Sequence, residues 1–270
     1  MGKAPLVLFG AGRMGTALIN GWVSAPSDRP LVVVTPNPGE ALRDQETSGA
    51  LALNCAPEPA GFLAICVKPQ VFGSVLDTLR AWVGPDTVVL SIMAGIRIHQ
   101  LSEKLGVDRI IRVMPNTPGA IGKGVSLVSA GPGASEDDVR SAVDLLSPLG
   151  HVEGPMTEEA LTIATSLSGC GPAYVFLLAE LLGAAGAEAG LDPDMASRIA
   201  QATVTGAAAL ISESGEPPAA LRAAVTSPNG VTDAALRVLM ARDQWPSSLR
   251  EAIAAAVARD AALSAALDEG

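Results

Sequence analysis

The stretch from Leu6 to Trp22, LVLFGAGRMGTALINGW, constrains what this chain can fold into more than any other. Leu6 to Phe9 is a short unbroken apolar run, the pattern of a parallel strand buried on both faces. Gly10-Ala11-Gly12-Arg13-Met14-Gly15 follows at once, and beyond it a helical period puts Met14, Leu18 and Trp22 on one face. G-x-G-x-x-G between a strand and a helix is the setting in which a dinucleotide pyrophosphate is held. Gly10 makes the tight turn, Gly12 lets the backbone approach the phosphates, and Gly15 lets the helix pack against the strand. The unpaired N–H groups at the positive end of the helix then face the anion. A purely structural turn is the competing reading of the same glycines.

A chain of 270 residues is long enough for one large or two ordinary domains. Its residues are 49% apolar but only 3% aromatic, so the core must pack through small side chains and closely approaching helices. A formal net charge of −10 argues against nucleic acid and against anionic membranes as partners. Cys55, Cys66 and Cys170 show neither C-x-x-C spacing nor an even disulfide framework, which points to reduced thiols in a cytoplasmic protein. His99 and His151 are far apart and no metal site is expected. The first strand starts so near the N-terminus that no signal peptide is expected. Gly171 to Leu191 is the most apolar stretch, but Glu180 and Glu188 interrupt it and Gly183, Gly186 and Gly190 dilute it. A buried helix is the better reading than a membrane span.

After the first helix, Leu31 to Thr35 reads as a second strand. A carboxylate at its tip would bond an adenosine ribose 2′-hydroxyl and repel a 2′-phosphate. Here the tip is Thr35-Pro36-Asn37-Pro38, neutral and with hydroxyl and amide groups to offer, which favours NADPH; Arg13 can assist, and a plain turn over 36–39 is the alternative reading. Glu40 to Gly49 reads as a short helix and Leu51 to Asn54 as a short strand. Phe62 to Val67, Thr87 to Ile92 and Arg109 to Met114 read as further strands. They end in Lys68-Pro69-Gln70, Met93-Ala94-Gly95 and Pro115-Asn116-Thr117-Pro118, three tightly specified turns expected on the ligand-binding edge of one sheet. Strands over 123–129 and 150–153 bracket a helix over 135–146 with Ser135 as N-cap.

From Thr157 onward the pattern is helical: 157–167, 172–190, 193–214, a short 217–223, 232–240 and 246–267. The expected organisation is an α/β Rossmann domain over 1–155, with a mostly parallel doubly wound sheet, and an all-α domain over 156–270. The helix over 172–190 is apolar nearly all round and should be buried on every side. Little more than a hundred helical residues can hardly enclose it alone, so a homodimer is expected, with the centre of a monomeric bundle as the alternative.

Two stretches are more specific than the glycine turn. One is Arg112-Val113-Met114-Pro115-Asn116-Thr117-Pro118; the other is Thr226-Ser227-Pro228-Asn229-Gly230-Val231-Thr232, which opens a helix. With Val67-Lys68-Pro69-Gln70, Met93-Ala94-Gly95 and Leu167-Ser168-Gly169-Cys170-Gly171-Pro172-Ala173-Tyr174, in this order and almost end to end, they resemble pyrroline-5-carboxylate reductase. The resemblance implies reduction of the C=N bond of 1-pyrroline-5-carboxylate to L-proline, the last step of proline synthesis, with NADPH and less efficiently with NADH. It also implies a helical dimerisation domain, with dimers often assembled into decamers. By it, Gly10, Ala11, Gly12, Arg13, Met14 and Gly15 match the pyrophosphate loop. Thr35 and Asn37 match positions near the adenosine 2′-phosphate, Asn54 an asparagine that contacts the cofactor, and Val67, Lys68, Pro69, Ala94 and Gly95 the wall around the nicotinamide. Ser227, Asn229, Gly230, Val231 and Thr232, with Asn116, match the substrate-binding positions, and Thr232 the group that orients the ring nitrogen. Thr232 could equally be a helix cap.

Two residues depart from the family pattern. Asn229 stands where the turn usually has glycine; asparagine tolerates a left-handed conformation better than most residues, but a tighter pocket would alter substrate choice. Cys170 stands where serine is common and reads as a packing variation. Hydroxyacid dehydrogenases of similar build rely on a lysine in the second domain, and this chain has none from Thr157 to its end. A reductase for another cyclic imine and a non-catalytic NADPH-binding sensor remain open alternatives.

Overall fold

The computed structural model describes residues 3–268. Strands β1 (Leu6–Phe9), β2 (Leu31–Val34), β3 (Ala52–Leu53), β4 (Phe62–Ile65), β5 (Val88–Ser91), β6 (Ile110–Pro115), β7 (Gly124–Ala130) and β8 (Gly150–Glu153) form one sheet in the order β3-β2-β1-β4-β5-β6-β7-β8. Between them run helices α1 (Arg13–Ser24), α2 (Glu40–Thr47), α3 (Pro69–Arg80), α4 (Ile98–Leu105) and α5 (Glu136–Leu146). The strands from β1 to β6 pair in parallel, because each connection is long enough to carry the chain back across the sheet. Only residues 116–123 separate β6 from β7, too few for a crossover, and β7 is antiparallel, with Val113 opposite Val128. The α5 crossover restores parallel pairing for β8.

Alternation along the strands builds two apolar layers. Leu6, Leu8, Phe62, Ala64 and Ile111 face α1, α2 and α5 through Leu18, Trp22, Leu42 and Leu146. Val7, Phe9, Leu63, Ile65 and Ile110 face α3 and α4 through Phe72, Leu79, Leu101 and Leu105. The sheet is thus doubly wound, as the apolar strand runs require. The side chain of Trp22 also donates to the Leu145 carbonyl at 2.7 Å, fixing α1 against α5.

Six helices follow: α6 (Glu158–Ser168), α7 (Gly171–Glu188), α8 (Pro193–Ser214), α9 (Pro218–Ala224), α10 (Val231–Leu239) and α11 (Trp245–Asp268). The chain divides into two compact units, Met1–Gly169 with Val257–Gly270, and Cys170–Ala256. The first helix past residue 155, α6, packs on β6 and β7, and its Glu158 pairs with the buried Arg112 at 2.6 Å. The first unit therefore extends to Gly169.

Within the second unit α7 and α8 form a helical hairpin. Gly183 and Gly186 let it close tightly: a Cβ on either would stand 3.3 Å from Ser197 Cα or Ala196 Cβ. The expected burial of α7 on every side is not met within one chain. Gly183 is its sole buried residue, while Phe176 is 65% and Leu181 57% exposed. Within the second unit, α8 packs on the glycine side of α7. By length and composition alone, Glu158–Glu188 is apolar enough to cross a membrane.

Candidate active site

Because β1, β2, β4, β5 and β6 run in parallel, their carboxyl ends share one sheet edge. The chain winds outward in opposite directions from β1 and β4, and the crevice at such a switch point is where open α/β sheets bind ligands. Gly10 takes φ +101°, and a Cβ there would lie 2.9 Å from both the Cys66 carbonyl oxygen and Val67 Cγ1. A Cβ on Gly15 would lie 2.2 Å from the Gly10 carbonyl oxygen, so helix and turn touch backbone to backbone. Gly12 has nothing within 4 Å of where its Cβ would be. The first helical bond of α1 runs from Thr16 N to Gly12 O at 2.8 Å, so the N–H groups of Arg13, Met14 and Gly15 lie ahead of it. Open space over Gly12 beside those donors fits a dinucleotide pyrophosphate. Behind the turn, burial pushes the Cys66 thiol far up, so it stays neutral.

The Asn54 side-chain oxygen accepts from the Thr35 N–H at 2.9 Å, while the Asn54 backbone N–H donates to Val33 O at 3.0 Å. Asn54 reaches this position in a left-handed conformation, φ +49°. Thr35 is buried and Asn37 exposed in the loop that follows β2. At the end of β4, Val67 is half-buried, exposed Lys68 precedes α3, and Pro69 occupies the first helical turn, where its missing N–H costs no bond. After β5, Ala94 is exposed and Gly95 turns at φ +76°.

Asn116 is buried, and both ends of its amide are used. It donates to the Ser168 carbonyl at 2.9 Å and accepts from the Val125 N–H at 2.8 Å, tying the ends of β6 and α6 to the start of β7. It has the geometry of a strut. One N–H and one lone pair remain for a ligand.

Ser227 to Thr232 form a single turn in the second unit, which Gly230 closes by donating from its N–H to Ser227 O at 2.9 Å. Asn229 does adopt the left-handed conformation, φ +60°. Gly230 is the N-cap of α10, so Thr232 lies inside the first turn and does not cap the helix. The first helical bond is Ala234 N to Gly230 O at 3.1 Å, leaving the N–H groups of Val231, Thr232 and Asp233 ahead of it. Two residues unforeseen in the sequence complete the turn. Asp233 accepts from the Asn229 N–H, and Arg237 binds Asp233. Their spacing, four residues apart from Asn229 through Asp233 to Arg237, was the available signal. In the same unit, burial and then the neighbouring Cys170 push the Tyr174 phenol up.

A family profile described as pyrroline-5-carboxylate reductase dimerisation matches residues 158–263, and one described as NADP oxidoreductase, coenzyme F420-dependent, matches 5–95. A pyrroline-5-carboxylate reductase of Arabidopsis thaliana is 35% identical over 263 residues, covering 95% of this chain and 94% of its own. The chain belongs to the pyrroline-5-carboxylate reductase family. Its fold matches the family structure from Coxiella burnetii with a TM-score of 0.87 and 26% identity, over 97% of this chain and 98% of that one. A Plasmodium falciparum pyrroline carboxylate reductase with NADP bound matches with a TM-score of 0.80 and 27% identity, over 98% and 99%. The dimerisation profile of the pyrroline-5-carboxylate reductase family begins at α6, one helix before the division between the compact units.

Proposed function

We propose that the protein is an NADPH-dependent pyrroline-5-carboxylate reductase that forms L-proline. The observation that carries this reading is end-to-end similarity to a relative of that name, 35% identical over 263 residues. When bound, NADPH supplies hydride from nicotinamide C4 to the imine carbon. The N–H groups of Arg13, Met14 and Gly15 hold the pyrophosphate, and Thr35, Asn37 and Asn54 line the adenosine end. Val67, Lys68, Pro69, Ala94 and Gly95 wall the nicotinamide side. Val231 and Thr232 present N–H groups and the positive end of α10 to the substrate carboxylate. The Thr232 hydroxyl orients the ring nitrogen, Ser227, Asn229 and Gly230 shape the turn, and Asn116 acts from its strut position. Addition of hydride to carbon and one proton to nitrogen completes the amine. A pyrroline imine can take that proton from solution, so the turn needs no strong acid.

Residues 1–155 serve the cofactor, and 156–270 serve dimerisation and substrate binding. The apolar side of α7 is covered by a second copy, and such dimers can build a decamer. We place the protein in the cytoplasm, with a small-molecule substrate and neither nucleic acid nor membrane as partner. The deciding experiment follows cofactor oxidation by purified protein with pyrroline-5-carboxylate, compares NADPH with NADH, and identifies the product. Proline formed faster with NADPH supports the reading. Tight NADPH binding without turnover overturns it and supports a sensor. Turnover only of other cyclic imines supports the second reading, which Asn229 motivates.

A further inference from the structure

We propose that Asp233 and Arg237 are positioning residues that hold the Asn229 turn in its substrate-binding shape, compensating for the absence of glycine at 229. This rests on the reading of residues 227–232 as the substrate-carboxylate site. Four observations within the second unit carry it. Asn229 holds φ +60°, a conformation that is strained for an ordinary side chain and that glycine adopts freely. Its N–H donates to Asp233 Oδ2 at 2.9 Å. Arg237 Nη2 donates to the same oxygen at 2.8 Å and lies 3.4 Å from Asn229 Oδ1, so the asparagine amide is turned along α10 toward the arginine. The Asp233 side chain is 23% exposed, shielded enough for its bond to the turn to matter.

In an ordinary capping box the third helical residue accepts from the N-cap N–H. Asp233 occupies that third position but reaches one residue further back, to Asn229, and so fixes the left-handed residue itself. The cost of this arrangement is electrostatic. A carboxylate now stands beside the helix end that must attract the substrate's own carboxylate, and like charges there oppose binding. Arg237 offsets it as the i+4 partner of Asp233. The pair therefore has two jobs with different readouts: Asp233 shapes the turn, and Arg237 neutralises Asp233.

The test is a set of variants in the full chain, assayed separately for the KM of pyrroline-5-carboxylate and of NADPH. Asp233→Ala is expected to raise the imine KM on the order of fivefold, the worth of one such hydrogen bond, with the NADPH KM unchanged. Asp233→Asn, which keeps an acceptor, restores most of the loss. In an Asn229→Gly background the same Asp233→Ala change moves the imine KM less than about twofold, because glycine holds the left-handed conformation unaided. Equal effects in both backgrounds, or a parallel rise in the NADPH KM, overturn the proposal. Arg237→Gln provides the second arm. It raises the KM of the carboxylate substrate but not that of 1-pyrroline, which lacks the carboxylate, and Asp233→Asn in the same chain reverses the rise; no reversal overturns the charge argument. Backbone hydrogen exchange over 226–233 separates a failure of the functional reading. Wild-type protein without pyrroline-5-carboxylate turnover, yet losing protection there on Asp233→Ala, refutes the substrate assignment and leaves the brace standing. Unchanged exchange refutes the brace.

Discussion

Single atoms decide the glycine turn. Gly15→Ala drives a Cβ into the Gly10 carbonyl, a backbone atom that cannot swing aside. Overpacking of this kind costs about 1–3 kcal/mol, so the melting temperature should fall by about 3–10 °C along with NADPH affinity. Gly12→Ala points into open space. It should leave thermal stability nearly unchanged in calorimetry while weakening NADPH at least tenfold in a binding titration; equal effects of the two substitutions would contradict the assignment. On the proposed reading of Asn54 as a cofactor contact beside Thr35, Asn54→Asp keeps an acceptor for the Thr35 N–H but adds a charge. Its KM for NADPH should rise on the order of fivefold while that for NADH stays put. The tight turn at Gly10, the close packing at Gly15 and the tolerance of Asn229 for a left-handed conformation were legible in the sequence, because they follow from residue type. The buried engagement of Asn116 with Ser168 and Val125 was not, since those partners lie 52 and 9 residues away and meet only in the fold.

At the scale of elements, caps and connections decide. The start of α5 shows how much a good signal gives: Ser135 accepts from Asp138 N at 3.2 Å, and Asp138 Oδ2 accepts from Ser135 N at 2.9 Å. Arg109 at the foot of β6 then closes on the carboxylate, at 3.1 and 2.5 Å. Burial alone would raise the Asp138 carboxyl, but its bonds to Arg109 and Ser135 hold it below its ordinary 3.8. A lowered folded-state value means the stabilisation is complete above the unfolded value and is lost as pH falls through the folded one. Asp138→Ala should thus cost about 1–3 kcal/mol in urea unfolding at pH 7, and the gap to wild type should close below about pH 4. By contrast, α4 was not delineated from sequence. It is only eight residues long and starts after Arg97, which is no usual cap; the bond that opens it comes from Gln100, whose Oε1 accepts from Arg97 N at 2.7 Å. The antiparallel β7 likewise follows from a short connection rather than from its own composition.

For the whole molecule, the apolar surface of α7 and α8 is the feature that one chain cannot resolve. Phe176, Leu181 and Leu210 stand 65%, 57% and 52% exposed, and large apolar side chains exposed together mark surfaces that a partner covers. A mass measurement by light scattering should give at least two chains, and Phe176→Glu or Leu181→Glu should shift the protein to smaller species while NADPH binding is retained. The sequence pointed to a partner for α7 because its apolar residues encircle the helix; it could not say which side the chain itself would cover. Both margins of the sheet, meanwhile, are unfit as templates for another strand. β3 is two residues long, and its Leu53 N–H is taken by the Glu46 side chain at 3.0 Å. At the far margin, β8 carries His151 and Glu153, exposed and bonded to each other at 2.9 Å. Short, charged margins of this kind discourage strand addition, so the sheet offers copies of this chain no template for open-ended fibrils.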